Sequence, residues 1–162
     1  MDNEFIIQQL KEKFPDKVLK IDTSSDMLMM EIAKNAICDV VLFLKNELNF
    51  IYLTSLCGVH YPEQALPLGV VYHLHNLQDN ILLRLKVFLS DEDPHIDTCV
   101  EIFSAANWME RETFDFYGII FDGHPNLIRI LNVEYMDYHP MRKEYPLEDS
   151  TRTDKDDKFF GR

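Results

Sequence analysis

Apolar residues at helical spacing predict two helices in the first third of the chain. The first is expected from Glu4 to Phe14, and Pro15 forces its end, because a residue that precedes proline avoids the helical conformation. The second should begin at Asn35, whose side chain can cap the first turn. Its apolar stripe comprises Ile37, Val40, Val41, Leu44 and Leu48.

Alternation of apolar and polar residues predicts strands between and after these helices. The predicted strands span residues 18–22, 27–32, 50–57, 70–75 and 81–89. The last two form the clearest hairpin, because the loop between them is polar and the second strand alternates strictly. Its apolar face consists of Leu83, Leu85 and Val87, and Arg84 and Lys86 occupy the other face.

A third helix is predicted further along the chain, where Thr98 and Glu101 have the spacing of a capping box. Gly118 is well placed to end this helix, because glycine adopts the left-handed conformation common after a last helical turn. One side of the helix is expected to carry Val100, Phe103, Phe114 and Tyr117.

The regular patterns end at Gly118, which suggests a division of the chain into three parts. We predict an α+β domain over residues 1–118, with an antiparallel or mixed β-sheet and helices packed on one face. Residues 119–147 are predicted to form an extended, partner-binding segment, because prolines punctuate them without a strong period. Residues 148–162 are predicted to be a polar, mobile tail.

Composition excludes several classes of protein. The chain has 162 residues, enough to bury about 70% of the unfolded surface in one domain without disulfides or metals. Its net charge of −12 argues against nucleic acid or an anionic lipid surface as a partner. No apolar run approaches the ~20 residues of a membrane span, so direct insertion into a membrane is not expected.

Two features bear on the compartment in which the chain works. Asp2 and Glu4 make the start acidic, which is unlike a secretory signal or an arginine-rich transit peptide. The three cysteines are odd in number and lack disulfide-like spacing, which favours a reducing compartment.

The same inventory predicts that this chain binds no cofactor. Three cysteines cannot ligate a four-cysteine iron–sulfur cluster, and their spacing does not suit zinc. The five glycines form no G-x-G-x-x-G or phosphate-binding loop. His73 and His75 share one face of a strand and are a possible two-ligand half-site, although polar residues on a half-exposed strand explain them more simply.

Residues 110–115 concentrate charge on the third predicted helix. Glu110, Glu112 and Asp115, with His124, are residue types able to transfer protons. Glu110 and Glu112 cannot face each other on a helix, however, and Arg111 is expected to pair with Asp115 four residues later.

Glu110 falls on the apolar side of this helix and therefore needs a neutralising partner. Arg129 is the candidate, in an ion pair that could equally fix the fold or serve a function. Trp108 lies on the opposite side among charges, as interface anchors do, or else is a core residue shielded by the tail. His124, between Gly123 and Pro125, is expected to anchor a loop.

Residues 106–147, ANWMERETFDFYGIIFDGHPNLIRILNVEYMDYHPMRKEYPL, resemble the signature region of the C subunit of proton-pumping NADH:quinone oxidoreductase, respiratory complex I. Weaker similarity extends upstream through LTSLCGVHYPE and VVYHLHN…LLRLKVFL. The positions that match the family's motif are Glu110, Arg111, Glu112, Asp115, Gly118, His124, Pro125, Arg129, Arg142, Lys143, Tyr145 and Pro146. Departures at Ile128, Asn132, Val133, Tyr135 and Tyr138 affect individual loop contacts.

The resemblance implies a non-catalytic subunit in the connecting module of the peripheral arm. Flavin mononucleotide (FMN), iron–sulfur clusters and quinone would then belong to partner subunits. The chain would pack on the quinone-site subunit (the D subunit) and near the terminal-cluster subunit (the B subunit), on the cytoplasmic side of the cell membrane.

Two alternatives remain open from the sequence. One is the equivalent subunit of a related complex, such as a membrane-bound nickel–iron hydrogenase or a ferredoxin- or F420-dependent dehydrogenase. The other is a free-standing enzyme that uses Glu110 or Glu112 with His124, and it would be active as an isolated chain.

Overall fold

The computed structural model describes residues 2–24 and 26–145. Helix α1 (Asn3–Lys13) begins where the side chain of Asp2 accepts a 2.9 Å hydrogen bond from the backbone N–H of Phe5. It buries Ile6 and Leu10 and ends just before Pro15, as predicted.

Five strands form one mixed sheet. They are β1 (Val18–Asp22), β2 (Leu28–Ile32), β3 (Tyr52–His60), β4 (Leu68–Asn76) and β5 (Ile81–Leu89). The spatial order is β1-β2-β5-β4-β3, with β2 parallel to β5 and every other neighbouring pair antiparallel. The predicted hairpin is β4–β5, and it places Tyr72 opposite Leu85 and Val70 opposite Val87.

One face of this sheet forms the core with the helices. Leu83, Leu85 and Val87 are fully buried in the same hydrophobic cluster as Leu10 of α1 and Leu44 of α2 (Ile37–Glu47). Burying each such side chain stabilises the fold by about 1.5–3 kcal/mol. The α+β prediction, with a mixed sheet and helices on one face, is confirmed.

The predicted cap of α2 is wrong. Asn35 lies inside a short 3₁₀ turn, Lys34–Ala36, that leads directly into α2, and neither element has a side-chain cap. The Asn35 side chain instead accepts a 3.2 Å hydrogen bond from Lys17 Nζ. A residue within a helical turn cannot place its side chain over the first free N–H groups of the next helix.

The third helix, α3 (Ala106–Tyr117), starts seven residues later than a helix capped by Thr98 would start. Thr98 does not cap a helix, because turns and not a helix follow it over residues 100–105. Its hydroxyl donates to the distant carboxylate of Glu110 and accepts a 3.3 Å hydrogen bond from the backbone N–H of Val100. The helix ends as predicted at Gly118, which has φ 74°. Two short parallel strands, β6 (His95–Asp97) and β7 (Ile120–Asp122), bracket α3 in the sequence and were not predicted.

Beyond β7, residues 123–145 consist of turns and irregular chain. The three predicted domain boundaries remain predictions, and both Pro146 and the predicted tail, residues 148–162, lie outside the described residues. Within the described ranges, no helix is long and apolar enough to cross a lipid bilayer.

Candidate functional site

The charged helix α3 and the irregular segment that follows it form one hydrogen-bonded unit. Glu110 is fully buried, as its helical phase predicted. Its Oε1 accepts a 2.7 Å hydrogen bond from the backbone N–H of Cys99, and its Oε2 is hydrogen-bonded to the Thr98 hydroxyl. Burial raises the pKa of Glu110 to about 7, against the opposing effect of these two hydrogen bonds.

The predicted partner of Glu110, Arg129, is bound elsewhere. Arg129 Nη1 donates to Oδ1 of Asp115 at 2.7 Å and to the Asp115 carbonyl at 2.9 Å. The prediction of a Glu110–Arg129 pair is therefore wrong. Glu110 points towards residues 98–99, and Asp115 faces the segment after β7, so a different carboxylate receives the arginine.

Asp115 is a buried acceptor that organises the turn at residues 130–132. Its Oδ2 accepts hydrogen bonds from the backbone N–H groups of Ile130, Leu131 and Asn132 at 3.1, 2.9 and 2.9 Å. The Asn132 side-chain amide donates to Oδ1 at 3.1 Å. Burial opposes ionisation, but these donors and Arg129 outweigh it and hold the pKa of Asp115 well below its ordinary value.

Arg129 extends the same network along the segment. Its Nη2 donates to the carbonyl oxygens of Met136 and Tyr138 at 2.8 and 2.9 Å. The planar fork of the guanidinium thus joins α3 to two further points of an otherwise irregular chain. His139 adds a contact through Nδ1, 3.0 Å from the Asp115 carbonyl oxygen.

The predicted Arg111–Asp115 pair is also wrong. Arg111 donates to the carbonyl oxygens of Ile128 and Arg129, both at 3.1 Å, because the chain passes close to this side of α3. Its guanidinium also lies 5.3 Å from the centre of the Trp108 ring. Trp108 is 61% exposed. The alternative interpretation, shielding of Trp108 by the tail, concerns residues outside the described ranges.

His124 anchors its loop, as predicted. Its Nδ1 accepts a 3.0 Å hydrogen bond from the Asn126 N–H, which leaves Nε2 to donate to the Asn107 carbonyl at 3.1 Å. Both ring nitrogens are thereby engaged in structural hydrogen bonds. Pro125 is exposed in this turn.

The end of the described segment is fastened around Gly118. Arg142 Nε donates to the Tyr117 carbonyl, and Nη1 donates to Asp91, each at 2.8 Å. The backbone N–H of Lys143 donates to His60 Nδ1 at 2.9 Å.

Tyr145 packs its ring 4.8 Å from that of Tyr138. The side chain of Lys143, in contrast, is exposed. The hydrogen bonds of Arg142 and Lys143 therefore hold the end of the segment against the domain, while the side chains of Lys143 and Tyr145 stay exposed.

Glu112 has a different environment, because it is exposed beside a groove of about 410 Å³ between α3 and β3. The groove is lined by Glu112 together with Cys57, Gly58, Thr113, Phe116, Tyr117 and Met141. The Thr113 hydroxyl is buried there without a hydrogen-bond partner among the described residues.

The segment and helix α3 display large apolar side chains to solvent. We call this set the apolar display: Trp108, Ile128, Leu131, Val133, Tyr135, Tyr138, Met141 and Tyr145. All are at least one-third exposed, and Tyr135 is 88% exposed. Such a concentration of exposed apolar surface typically marks an interaction site.

Sequence reasoning missed the roles of three residues of this unit: Thr98, Asn132 and His139. Asn132 carried a local signal, because asparagine often fixes turns through its side chain, whereas the capping-box signal of Thr98 indicated a different role. The roles of the other two arise from contacts with residues far away in the chain.

His73 and His75, the possible two-ligand half-site, each have a hydrogen-bond partner on a nearby residue. In residues 2–24 and 26–145, no three His, Cys, Asp or Glu side chains are grouped as a metal site requires. His73 Nε2 accepts a hydrogen bond from Arg84 at 2.8 Å, and His75 lies 3.2 Å from Asn80, which suits the plain structural interpretation. The expectation that this chain binds no cofactor stays a prediction.

Comparison with known sequences gives consistent matches. A profile of the family described as respiratory-chain NADH dehydrogenase, 30 Kd subunit, matches residues 30–151. The NADH-quinone oxidoreductase C subunit of Roseiflexus castenholzii is 38% identical over 149 residues, which cover 91% of this chain and 86% of that protein. The corresponding C subunit of Citrifermentans bemidjiense is 34% identical over 151 residues, or 93% of this chain and 94% of its own length.

Two solved structures have a similar fold. A trypsin-resistant fragment of Nqo5 (residues 1–134) superimposes with a TM-score of 0.69 at 25% identity, over 78% of this chain and all of the fragment. A chain of the membrane-bound sulfane sulfur reductase, an archaeal respiratory membrane complex, gives 0.76 at 25% identity. That match covers 89% of this chain and 85% of the other.

Proposed function

Because this chain belongs to the respiratory-chain NADH dehydrogenase 30 kDa subunit family, we propose that it is a cofactor-free structural subunit of a proton-pumping NADH:quinone oxidoreductase. The family assigns it to an oxidoreductase assembly of the complex I type, in which it is one subunit among several. Its role there is to position neighbouring subunits, which carry FMN, the iron–sulfur clusters and the quinone site.

The proposed position is in the connecting module of the peripheral arm. There the chain packs on the quinone-site subunit, of the D type, and near the terminal-cluster subunit, of the B type. The whole arm stands on the cytoplasmic side of the cell membrane, and this chain is attached to it only through protein contacts.

Support comes from the way in which the apolar display is held. Asp115, Arg129 and Arg142 make their hydrogen bonds inwards, to backbone groups of the segment and of α3. Leu131 and Tyr135 in the same segment remain 65% and 88% exposed. In this segment the polar groups form internal hydrogen bonds that hold its shape, and the apolar side chains remain exposed to water. Such a surface is suited to docking on another protein.

Rigidity of this kind favours binding. Ordering a flexible side chain at an interface costs about 0.5–1.5 kcal/mol, and a pre-formed surface avoids part of that cost. The exposed indole of Trp108, stacked under Arg111, resembles the aromatic and arginine anchors that dominate many protein interfaces.

A matched pair of leucines tests this proposal. Leu131 belongs to the apolar display, whereas Leu77 is 55% exposed in the β4–β5 loop on another part of the molecule. Leu131→Ser and Leu77→Ser make the same chemical change at similar exposure. Each tagged variant would be purified from gently solubilised membranes, and its co-purifying subunits would be quantified by mass spectrometry.

Loss of the quinone-site subunit from Leu131→Ser, with Leu77→Ser unaffected, is the expected result. Trp108→Ala should behave like Leu131→Ser, since truncating an interface anchor typically costs about 2 kcal/mol or more. Normal recovery of partners by both display variants would contradict the proposed docking surface. Unfolding curves of the isolated chains would show that the variants are folded.

A second candidate function is the equivalent subunit of a related respiratory complex. The match to the sulfane sulfur reductase chain supports it, because a chain of another respiratory membrane complex has a similar fold, with a TM-score of 0.76 over 89% of this chain. The electron donor distinguishes the two. The complex purified through the tagged chain should oxidise NADH under the first proposal. Under the second proposal it should oxidise reduced ferredoxin or another donor.

A free-standing enzyme is the remaining functional class, and the contacts weaken it. Glu110 is bound to residues 98–99, and His124 has both ring nitrogens engaged. Turnover of a substrate by the isolated chain, abolished in Glu112→Gln without loss of assembly, would restore this alternative and contradict a purely structural role.

A further inference from the structure

Two of the three cysteines meet in the tertiary structure although 61 residues separate them. Cys38 lies in the first turn of α2, and Cys99 follows β6. Their Sγ atoms are 3.7 Å apart. Cys99 is fully buried and Cys38 is partly accessible, so a reagent in solvent can reach only one member of the pair.

The surroundings of the pair differ for its two members. Cys38 Sγ lies 3.3 Å from the Thr98 carbonyl oxygen and 3.7 Å from that of Asp97. The hydrogen-bonding contact with Cys99 lowers the pKa of Cys38, despite burial and nearby carboxylates. The same hydrogen bond, with burial, raises the pKa of Cys99. The thiolate, which is the reactive form, is thus favoured on the accessible sulfur.

We propose that Cys38 and Cys99 are a reversible dithiol–disulfide pair, in which Cys38 reacts first with a low-molecular-weight disulfide and Cys99 resolves the product. This inference is independent of the proposed function. The spacing of the three cysteines along the chain gave no sign that two of them would meet.

Thiol–disulfide exchange gives the pair a balanced reaction with oxidised glutathione. The Cys38 thiolate attacks one glutathione sulfur, the glutathione S–S bond breaks, and one glutathione thiolate leaves. Cys99 gives up its proton, attacks Cys38 Sγ and releases the second glutathione. Two protein thiols are thereby oxidised to one disulfide, and one oxidised glutathione is reduced to two thiols.

The bond would connect elements that also hold Glu110. Cys99 donates its backbone N–H to Glu110 on α3, and Cys38 belongs to α2. The disulfide would therefore link α2 to residues 98–99, which donate hydrogen bonds to Glu110 on α3. Closing so long a loop restricts the unfolded chain, so the oxidised protein should melt at a higher temperature than the reduced protein.

Cys57 provides an internal control, because it is exposed on β3 and makes no contact with the other two cysteines within the described residues. The purified full-length chain would be incubated with oxidised glutathione, blocked with iodoacetamide and digested without reduction. Wild type and Cys57→Ser should both yield a peptide that joins Cys38 to Cys99. Dithiothreitol should return both thiols.

The single variants test the order of the two steps. Cys99→Ser should stop at a glutathione adduct on Cys38, and Cys38→Ser should leave Cys99 unmodified because its sulfur is buried. Circular dichroism would establish that each variant is folded. The proposal is overturned if wild type accumulates the Cys38 adduct without the cross-linked peptide, or if Cys57 alone reacts.

Discussion

Arg129 donates a 2.7 Å hydrogen bond to the buried carboxylate of Asp115, and this ion pair fastens the segment after β7 to helix α3. Asp115 lies one turn and a half beyond Glu110 on the same helix. The two carboxylates nevertheless have opposite electrostatic surroundings. Five donors keep Asp115 ionised, whereas burial with two donors raises the pKa of Glu110 to about 7.

Asp115→Ala should be strongly destabilising. The change leaves the Arg129 guanidinium and three backbone N–H groups without their acceptor, and breaking a buried ion pair costs about 3–5 kcal/mol. Urea unfolding followed by circular dichroism measures the loss. Asp137→Ala, an exposed position in the same segment, should stay within about 0.5 kcal/mol of wild type. Equal effects of the two changes would contradict the anchoring role of Asp115.

Glu110 should make stability depend on pH. Its folded-state pKa of about 7 exceeds the ordinary 4.5, so the folded chain holds this proton more tightly than the unfolded chain. The stabilising contribution of the protonated Glu110 to folding is fully present below pH 4.5, the ordinary pKa. It is lost as the pH rises through the folded-state pKa of about 7. By the relation of about 1.4 kcal/mol per pKa unit, the loss is at most roughly 3–4 kcal/mol.

Comparing wild type with Glu110→Gln isolates this titration, since glutamine cannot ionise and the other groups titrate equally in both proteins. The free energy of unfolding of wild type should fall relative to the variant between about pH 5 and pH 8. Glu112→Gln, at an exposed position, serves as the control and should run parallel to wild type. Parallel profiles for Glu110→Gln would show that its pKa is not raised.

Gly118→Ala should destabilise the junction between α3 and the segment. The backbone there has φ 74°, and an added Cβ would lie 2.6 Å from Cδ2 of His139. Gly123→Ala is the matched control, because its φ is 82° but its Cβ would meet Thr98 at an ordinary 3.4 Å.

Both alanines suffer the left-handed penalty of about 1–2 kcal/mol, and only Gly118→Ala adds overpacking, which costs a further ~1–3 kcal/mol. Thermal or urea unfolding measures the difference. Equal destabilisation by the two substitutions would contradict the overpacking at Gly118, because it would mean that the His139 side chain moves aside at little energetic cost.

Arg142→Ala should loosen the end of the segment without unfolding the domain. It removes the hydrogen bonds to the Tyr117 carbonyl and to Asp91, and these bonds hold the chain beside Gly118. Limited proteolysis with chymotrypsin should then cleave faster after Tyr138, because local opening governs such cleavage. Lys143→Ala is the control, since the side chain of Lys143 is exposed and its hydrogen bond to His60 is made by the backbone N–H. Unchanged cleavage in Arg142→Ala would show that this tether is dispensable.

Local patterns predicted the elements that are stabilised within a short stretch of chain. Helix α1 ends before Pro15, α3 ends at Gly118, and the β4–β5 hairpin alternates as its sequence requires. The same rules were wrong at Thr98 and Asn35. In each case a side chain suited to capping forms a hydrogen bond with a distant residue, Glu110 or Lys17.

The sequence by itself determined that Glu110 is buried, that α3 stops at a glycine, that the chain is α+β and which family it resembles. Only the tertiary structure decided the partners: Arg129 binds Asp115, Glu110 turns to Thr98 and Cys99, and Cys38 meets Cys99. Periodicity and conformational preference act over a few residues, so the sequence expresses them directly. A buried polar group must have a partner, but which of several compatible groups lies within reach depends on how the sheet and helices pack.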